Sequence, residues 1–235
     1  MCYHVSTPVS MKLKIELTRL GMDVEVPNYE PYFHLNGFDH GNLPVLTQVQ
    51  YHQISLAQWG LLPSWAKDYT IAAKTLNAVS ETAFEKPAFL ESMRHSRCLI
   101  WVDGFFEWQQ RGKTKQPYFI YFPGSRPFAL GGLYSEWLNP ATNTILPTCS
   151  ILTTEANELM ATIHNSKRRM PLILEKKNWD IWFDRNSAEI DLQKVMKPYT
   201  DDILQAHPVS NRILEKNKDS NVLEVQAEMV RNTLF

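Results

Sequence analysis

Seven short apolar runs separated by turn residues constrain the fold of this chain more than any other feature. They lie at 45–50, 54–59, 98–102, 105–109, 118–122, 128–133 and 148–153. Each has the length of a strand rather than a helix, and several are rich in β-branched or aromatic residues. Gly112 lies in the gap between 105–109 and 118–122 and predicts a hairpin there. Residues 2–5 add a short N-terminal strand. Helical patterns fall between and after the runs. Ser10 is the expected N-cap of a helix carrying Leu13, Leu17 and Leu20, with Gly21 as its stop. Further helices are expected at 85–95, 155–164 (capped by Thr154), 175–183, 187–197 and 220–233. Many short strands with peripheral helices predict the α+β class. The expected architecture is one compact domain over 1–235, built of curled, barrel-like antiparallel sheets, with a helical tail over about 219–235.

With 235 residues and 44% hydrophobic content, the chain can bury a substantial core without a disulfide or metal staple. Twenty-four Lys+Arg against 25 Asp+Glu give a formal charge of −1, which argues against a general polyanion binder but leaves room for a local basic cleft. Cys2, Cys98 and Cys149 are odd in number and widely spaced, so they are not a disulfide framework. No CxxC or HExxH occurs, and no metal or organic cofactor is expected. The opening MCYHVSTPVS lacks a charged n-region and an apolar h-region. No run approaches the ~18 apolar residues of a membrane span. These features predict a reducing cytoplasm and no membrane partner.

Chemistry concentrates in four places. Once Met1 is removed, Cys2 carries a free α-amine beside a thiol. Their reference pKa values of about 7.7–8.0 and 8.5 leave both partly deprotonated near neutrality. Such a pair can capture one aldehyde carbon, the amine as a Schiff base and the thiolate by closing a thiazolidine ring. By contrast, Cys98 and Cys149 sit inside apolar runs as core thiols. Glu107 stands among the aromatics Phe105, Phe106 and Trp108. It is either a solvent-facing edge-strand residue or a carboxyl whose pKa is raised by apolar surroundings. Asp103-Gly104 reads as turn chemistry. His164 falls at the end of a short helix, either satisfied by backbone carbonyls or serving as a proton carrier. Lys167-Arg168-Arg169 is the densest basic cluster, a solvated face or a phosphate contact. Trp65, after a Pro turn, is core or a stacking platform for a base. Asn77 is a helix cap or a residue that orients a nucleophile.

In chain order these blocks are Met1-Cys2, Trp59-Gly60-Leu61-x-Pro63-x-Trp65, Asn77-Ala78-x-x-Glu81-Thr82 and Asp103-Gly104-Phe105-Phe106-Glu107-Trp108. They continue with Thr153-Thr154-x-Ala156-Asn157, Ile163-His164, Arg169-Met170-Pro171 and Pro208-Val209-Ser210. Together they resemble the SRAP family (SOS-response-associated peptidase, or abasic-site processing protein) over nearly the whole chain. The resemblance implies a cleft that receives single-stranded DNA with an abasic site. It implies a covalent thiazolidine link from Cys2 to the aldehyde, and removal of Met1 by the protein itself. Asn77 would orient the Cys2 amine, Glu107 would shuttle protons, and His164 would assist opening of the sugar ring. Trp65 and Arg169 would contact DNA, with Lys167 and Arg168 beside them. The protein is expected to act as a monomer.

Three departures qualify the resemblance. Tyr3-His4 stand where the family usually has Gly-Arg, Val79 stands where it usually has Arg, and Asn165 to Arg168 separate His164 from Arg169. Loss of two phosphate contacts should weaken DNA binding and its salt dependence. Two other readings use the same residues. One is an N-terminal-nucleophile amidohydrolase in which the thiol attacks an amide, which needs an oxyanion hole. The other is a non-enzymatic single-strand binder using Trp65 and Arg169.

Overall fold

The computed structural model describes residues 2–200, 203–215 and 218–229. Among the described residues twelve strands form two sheets. β1 (His4–Ser6), β2 (Leu35–Asn36), β7 (Gly104–Arg111), β8 (Thr114–Tyr121) and β12 (Gln205–Pro208) make the first, in the order β12-β8-β7-β1-β2. The second contains β3 (Asn42–Thr47), β4 (Ser55–Trp59), β5 (Asn77–Val79), β6 (Arg97–Val102), β9 (Phe128–Leu138), β10 (Ile145–Glu155) and β11 (Arg169–Pro171). Five of these close into a ring, because β10 pairs both β4 and β9 while β4-β3-β6-β9 runs between them. The expected α+β, barrel-like architecture is present. The sheets are not wholly antiparallel: β10 runs parallel to β4 and β5. Long stretches of chain separate each of these pairs, and only a long crossover permits a parallel pairing.

Strand β6 explains why the barrel is sealed. All six of its residues are buried. Cys98, Ile100 and Val102 face a cluster with Val45, Leu130, Cys149 and Ile151. The alternate Leu99 and Trp101 face a second cluster with Leu13, Leu17, Trp179 and Trp182. A strand covered on both faces reads as continuous apolar sequence. The outer cover comes from α1 (Ser10–Arg19), α2 (Pro87–His95), α4 (Trp179–Phe183) and α5 (Glu189–Val195), while α3 (Glu158–Ile163) lies near β7 and β11.

Gly132 on β9 faces the barrel interior. A Cβ there would lie 2.5 Å from Ile100 Cδ1 and 2.9 Å from Cys98 Sγ, both locked in the core. Gly132→Ala is therefore expected to cost about 2 kcal/mol through overpacking, with a Tm about 6 °C lower by thermal denaturation.

Several local expectations change. Val9, not Ser10, takes the cap position of α1, and Ser10 Oγ instead accepts from the Tyr29 N–H. Gly21 does adopt the left-handed conformation, with φ 72°. Thr154 is a buried strand residue; Asn157 caps α3, its side chain accepting from Met160 N–H at 2.9 Å. The expected C-terminal helix does not form over 218–229. Only a single 3-10 turn, Leu223–Gln226, is present there, and 230–235 lie outside the described residues. Tertiary contacts override helical pattern in this segment. Val225 packs on Phe106 and Phe119, and the Gln226 amide donates to Ser6 Oγ and the Phe33 carbonyl.

Candidate active site

A cavity of ≈ 620 Å³ opens where the N-terminal strand meets β7 and the loop between α3 and β11. Tyr3 and His4 line it from β1 and its approach, Glu107, Trp108 and Gln110 from β7, and Lys115 from β8. His164, Ser166, Lys167 and Arg169 close the far wall, with Val79 at the end of β5.

Glu107 is 3% exposed, which settles its sequence ambiguity in favour of the buried carboxyl. Its position follows from the β7 alternation: Phe105 on the same face packs into the apolar cluster that contains Cys2. Desolvation pushes the carboxyl up to about 8, opposed by a hydrogen bond from the Trp108 N–H. Glu107 Oε1 has no hydrogen-bond partner among the described residues. His164 Nδ1 lies 3.6 Å from Glu107 Oε2 and 2.9 Å from the Arg169 carbonyl. A carbonyl accepts only, so Nδ1 carries the proton and Nε2 the lone pair. Burial lowers the imidazole to about 4. At pH 7 the close approach is thus not an ion pair: the carboxyl keeps its proton and the imidazole is neutral. Two groups whose environments separate their proton affinities in this way are a ready acid and base.

The four residues between His164 and Arg169 do not pull these side chains apart. The chain turns back, with the Arg168 N–H donating to the His164 carbonyl at 2.7 Å and Arg168 at φ 52°. Asn165 clamps the turn to β7, its Oδ1 accepting from Gln110 N–H and its amide donating to the Gln110 carbonyl, both at 3.0 Å. The loop thereby ties the helix end that holds His164 to the strand that holds Glu107.

Cys2 is completely buried, and its Sγ lies 3.8 Å from the His4 carbonyl. Burial, reinforced by Glu107, pushes the thiol far above its ordinary range, so it is protonated at rest. Asn77 is also buried, on β5 opposite Ile151, and neither amide atom has a partner among the described residues. Leu76 and Ile151, its chain neighbour and its strand partner, pack in the cluster that contains Cys2. A buried amide without a partner costs about 1–3 kcal/mol.

The expected DNA contacts fare unequally. Lys167 and Arg169 line the cavity, but Arg168 is exposed outside its lining. Both terminal nitrogens of Arg169 donate to Glu81, at 2.7 and 2.8 Å, and one also donates to the Thr153 carbonyl. Trp65 is 55% exposed but does not line the cavity. Tyr3 and Trp108 do, and the sequence flagged Trp108 only as a neighbour of Glu107. Lys115 and Gln110 were missed as well. They are ordinary polar residues of the β7–β8 hairpin, and only its placement beside α3 brings them to the site. Cys98 and Cys149 are core thiols, as expected, and Asp103 accepts an ion pair from Lys12 at 2.8 Å. Among the described residues no cluster of three or more His, Cys, Asp or Glu is arranged to hold a metal, and no helix is long and apolar enough to cross a membrane.

The chain is similar to known proteins over most of its length. The chain is 38% identical over 185 residues to the abasic site processing protein YoqW of Bacillus subtilis, covering 77% of this chain and 81% of that one. It is 33% identical over 196 residues to the abasic site processing protein HMCES of Gallus gallus, covering 73% of this chain and 57% of that one. A crystal structure of a protein from Bacteroides thetaiotaomicron superposes with a TM-score of 0.85 at 29% identity, covering 97% of this chain and all of the other. The family described as SOS response associated peptidase (SRAP) matches residues 1–216, and the chain belongs to that family.

Proposed function

We propose that this protein processes abasic sites in single-stranded DNA by forming a covalent thiazolidine through Cys2 once Met1 has been removed. The observation that carries the reading is the buried, oppositely perturbed Glu107–His164 pair on a cavity walled by the N-terminal strand. Hydrolysis of the Met1–Cys2 peptide bond frees the α-amine. His164 Nε2 accepts the C1′ hydroxyl proton of the sugar as the ring opens, and the proton passes to the ring oxygen. The amine then adds to the aldehyde carbon. Glu107 gives its proton to the departing hydroxyl, water leaves, and an iminium forms. The Cys2 thiol adds to the iminium carbon and its proton returns to Glu107. Aldehyde, amine and thiol become thiazolidine and water.

A resting thiol held protonated favours this order, with the amine first and sulfur second, over a thiol that opens by attacking an amide. The reading is tested with single-stranded DNA carrying one abasic site, intact DNA alongside, on a denaturing gel. A heat-stable shifted band only with the abasic strand is expected. Its absence from protein whose intact mass shows Met1 removed would overturn the reading.

Glu107→Gln is expected to slow crosslinking by about 10²–10³, since it removes the proton carrier. It should also stabilise the protein at high pH. The folded carboxyl, at about 8, binds its proton more tightly than the unfolded one. Its contribution is therefore fully present below about pH 4.3 and is lost as pH rises toward 8, on the order of 5 kcal/mol in all. The stability difference between wild type and E107Q, measured by denaturant unfolding, should change across that window and level off above it.

A further inference from the structure

Two histidines that the acid–base pair does not use form a continuous chain of hydrogen bonds leading away from the active site. His4 lines the active-site cavity. Its Nδ1 lies 2.9 Å from His34 Nε2, and His34 Nδ1 lies 2.8 Å from Ser220 Oγ. The two ring planes agree within 1° and their centroids are 5.1 Å apart. That separation equals the nitrogen contact plus one ring radius at each end, so the rings lie edge to edge in one plane rather than face to face. Trp108 packs against His4 with centroids 4.5 Å apart, and Phe106 meets His34 edge-on at 5.1 Å, which holds both rings in place. His34 and Ser220 line a second cavity of ≈ 300 Å³.

We propose that the His4–His34–Ser220 chain carries a proton from the active-site cavity to this second cavity during crosslinking, an inference that rests on the function proposed above. A neutral imidazole has one donor and one acceptor nitrogen, so a chain of them can be polarised either way. With His4 Nδ1–H donating to His34 Nε2, and His34 Nδ1–H donating to Ser220 Oγ, His4 Nε2 holds a lone pair. A proton taken up at that nitrogen releases the Nδ1 proton to His34. His34 passes its own Nδ1 proton to Ser220, and the serine hydroxyl gives one to water. One proton has crossed and every group is neutral again. The proposed reaction supplies that proton: the α-ammonium of Cys2 must lose one to become nucleophilic, and the neutral thiazolidine does not take it back. Each protein molecule is itself the reactant and reacts once, so the chain does not have to reset.

Electrostatics favour this role over a phosphate clamp at the position where the family usually carries arginine. Burial lowers His4 to about 3, with the His34 ring adding to the effect, and burial lowers His34 to about 4. Both rings are therefore neutral at pH 7, as a relay requires and a cationic clamp does not. The other titratable or charged groups are Tyr3, Glu107, His164, Lys115, Lys167 and Arg169 on the active-site side, with Tyr32, Asp39, Lys218 and Asp219 on the outer side.

The test is the single-turnover crosslinking rate in dilute buffer across neutral pH, for wild type, His34→Phe and Ser220→Ala. Ser220 is half-buried, so its variant removes the outlet without disturbing the core. Both variants are expected to be slower by about tenfold, with the rate restored by added imidazole, which carries the proton instead. Variants as fast as wild type, or slowed variants that imidazole does not rescue, overturn the relay. A wild-type protein that makes no crosslink overturns the crosslinking reading itself. The relay is then judged by nitrogen NMR on the free protein. A scalar coupling between His4 Nδ1 and His34 Nε2 with neutral-ring shifts at pH 7 supports it, and a charged ring or no coupling overturns it.

Discussion

Cys2→Ala is expected to abolish the heat-stable adduct while leaving a weaker, reducible one. The variant keeps an N-terminal amine, so the aldehyde can still be captured as an imine. It lacks the sulfur that adds to the imine carbon. Ring closure is intramolecular and gains the large effective concentration of a tethered nucleophile, so its loss should cut the surviving adduct by roughly 10² or more. Borohydride treatment before denaturation should recover a band for the variant, because reduction makes the imine link permanent. A variant that still gives a heat-stable band without reductant would remove Cys2 from the chemistry. Because Cys2 is fully buried among apolar residues, truncation to Ala removes little more than the sulfur and should spare the fold.

Arg97→Met is expected to be the most destabilising single change away from the site. Arg97 is 1% exposed on β6. Its guanidinium donates to the carbonyls of Met93 and Arg94 at 2.7 and 3.1 Å, and of Trp182 and Asp184 at 2.7 and 2.6 Å. These four carbonyls end α2 and α4, where unpaired C=O groups concentrate negative potential. Burial lowers the guanidinium to about 10, still charged at pH 7, and the Trp182 ring lies 5.8 Å beneath it. A methionine fills similar space but takes the donor from the buried Met93 and Trp182 carbonyls, at about 1–3 kcal/mol each, and from the part-buried Arg94 carbonyl, while the Asp184 carbonyl keeps the Ser187 N–H. That is a large share of the about 5–15 kcal/mol that stabilises a typical domain. R97M should therefore unfold at a fraction of the wild-type denaturant midpoint, while R97K, with one compact donor group, falls between. An unchanged midpoint for R97M would mean that the helix ends find other partners.

The Arg97 cluster shows where sequence reasoning stops. Nothing in the 97–102 run marks Arg97 as a buried hub, because its partners come from two helices, one of them some eighty residues away. The strands at 45–50, 98–102 and 148–153 were readable because alternation, turn residues and β-branched content are short-range properties of the chain. The two- and three-residue strands β2, β5 and β11 were not, since they exist only as partners of longer neighbours. The tail at 218–229 carried a helical pattern but forms only one 3-10 turn, pinned by Gln226 and Val225.

The site divides in the same way. Cys2, Asn77, Glu107 and His164 are visible in the sequence as residue types suited to the proposed chemistry. Their environments are not: that the carboxyl keeps its proton, that the imidazole does not take it, and that the Asn77 amide has no partner among the described residues all follow from burial. By itself the sequence determined the strand-rich α+β class and the hairpin at Gly112, and it named the candidate reactive groups, since local backbone preference and side-chain chemistry travel with each residue. Closure of the barrel, the neutral Glu107–His164 pair and the His4–His34–Ser220 chain were decided only by the tertiary structure. Each depends on desolvation and on contacts between residues far apart in the chain.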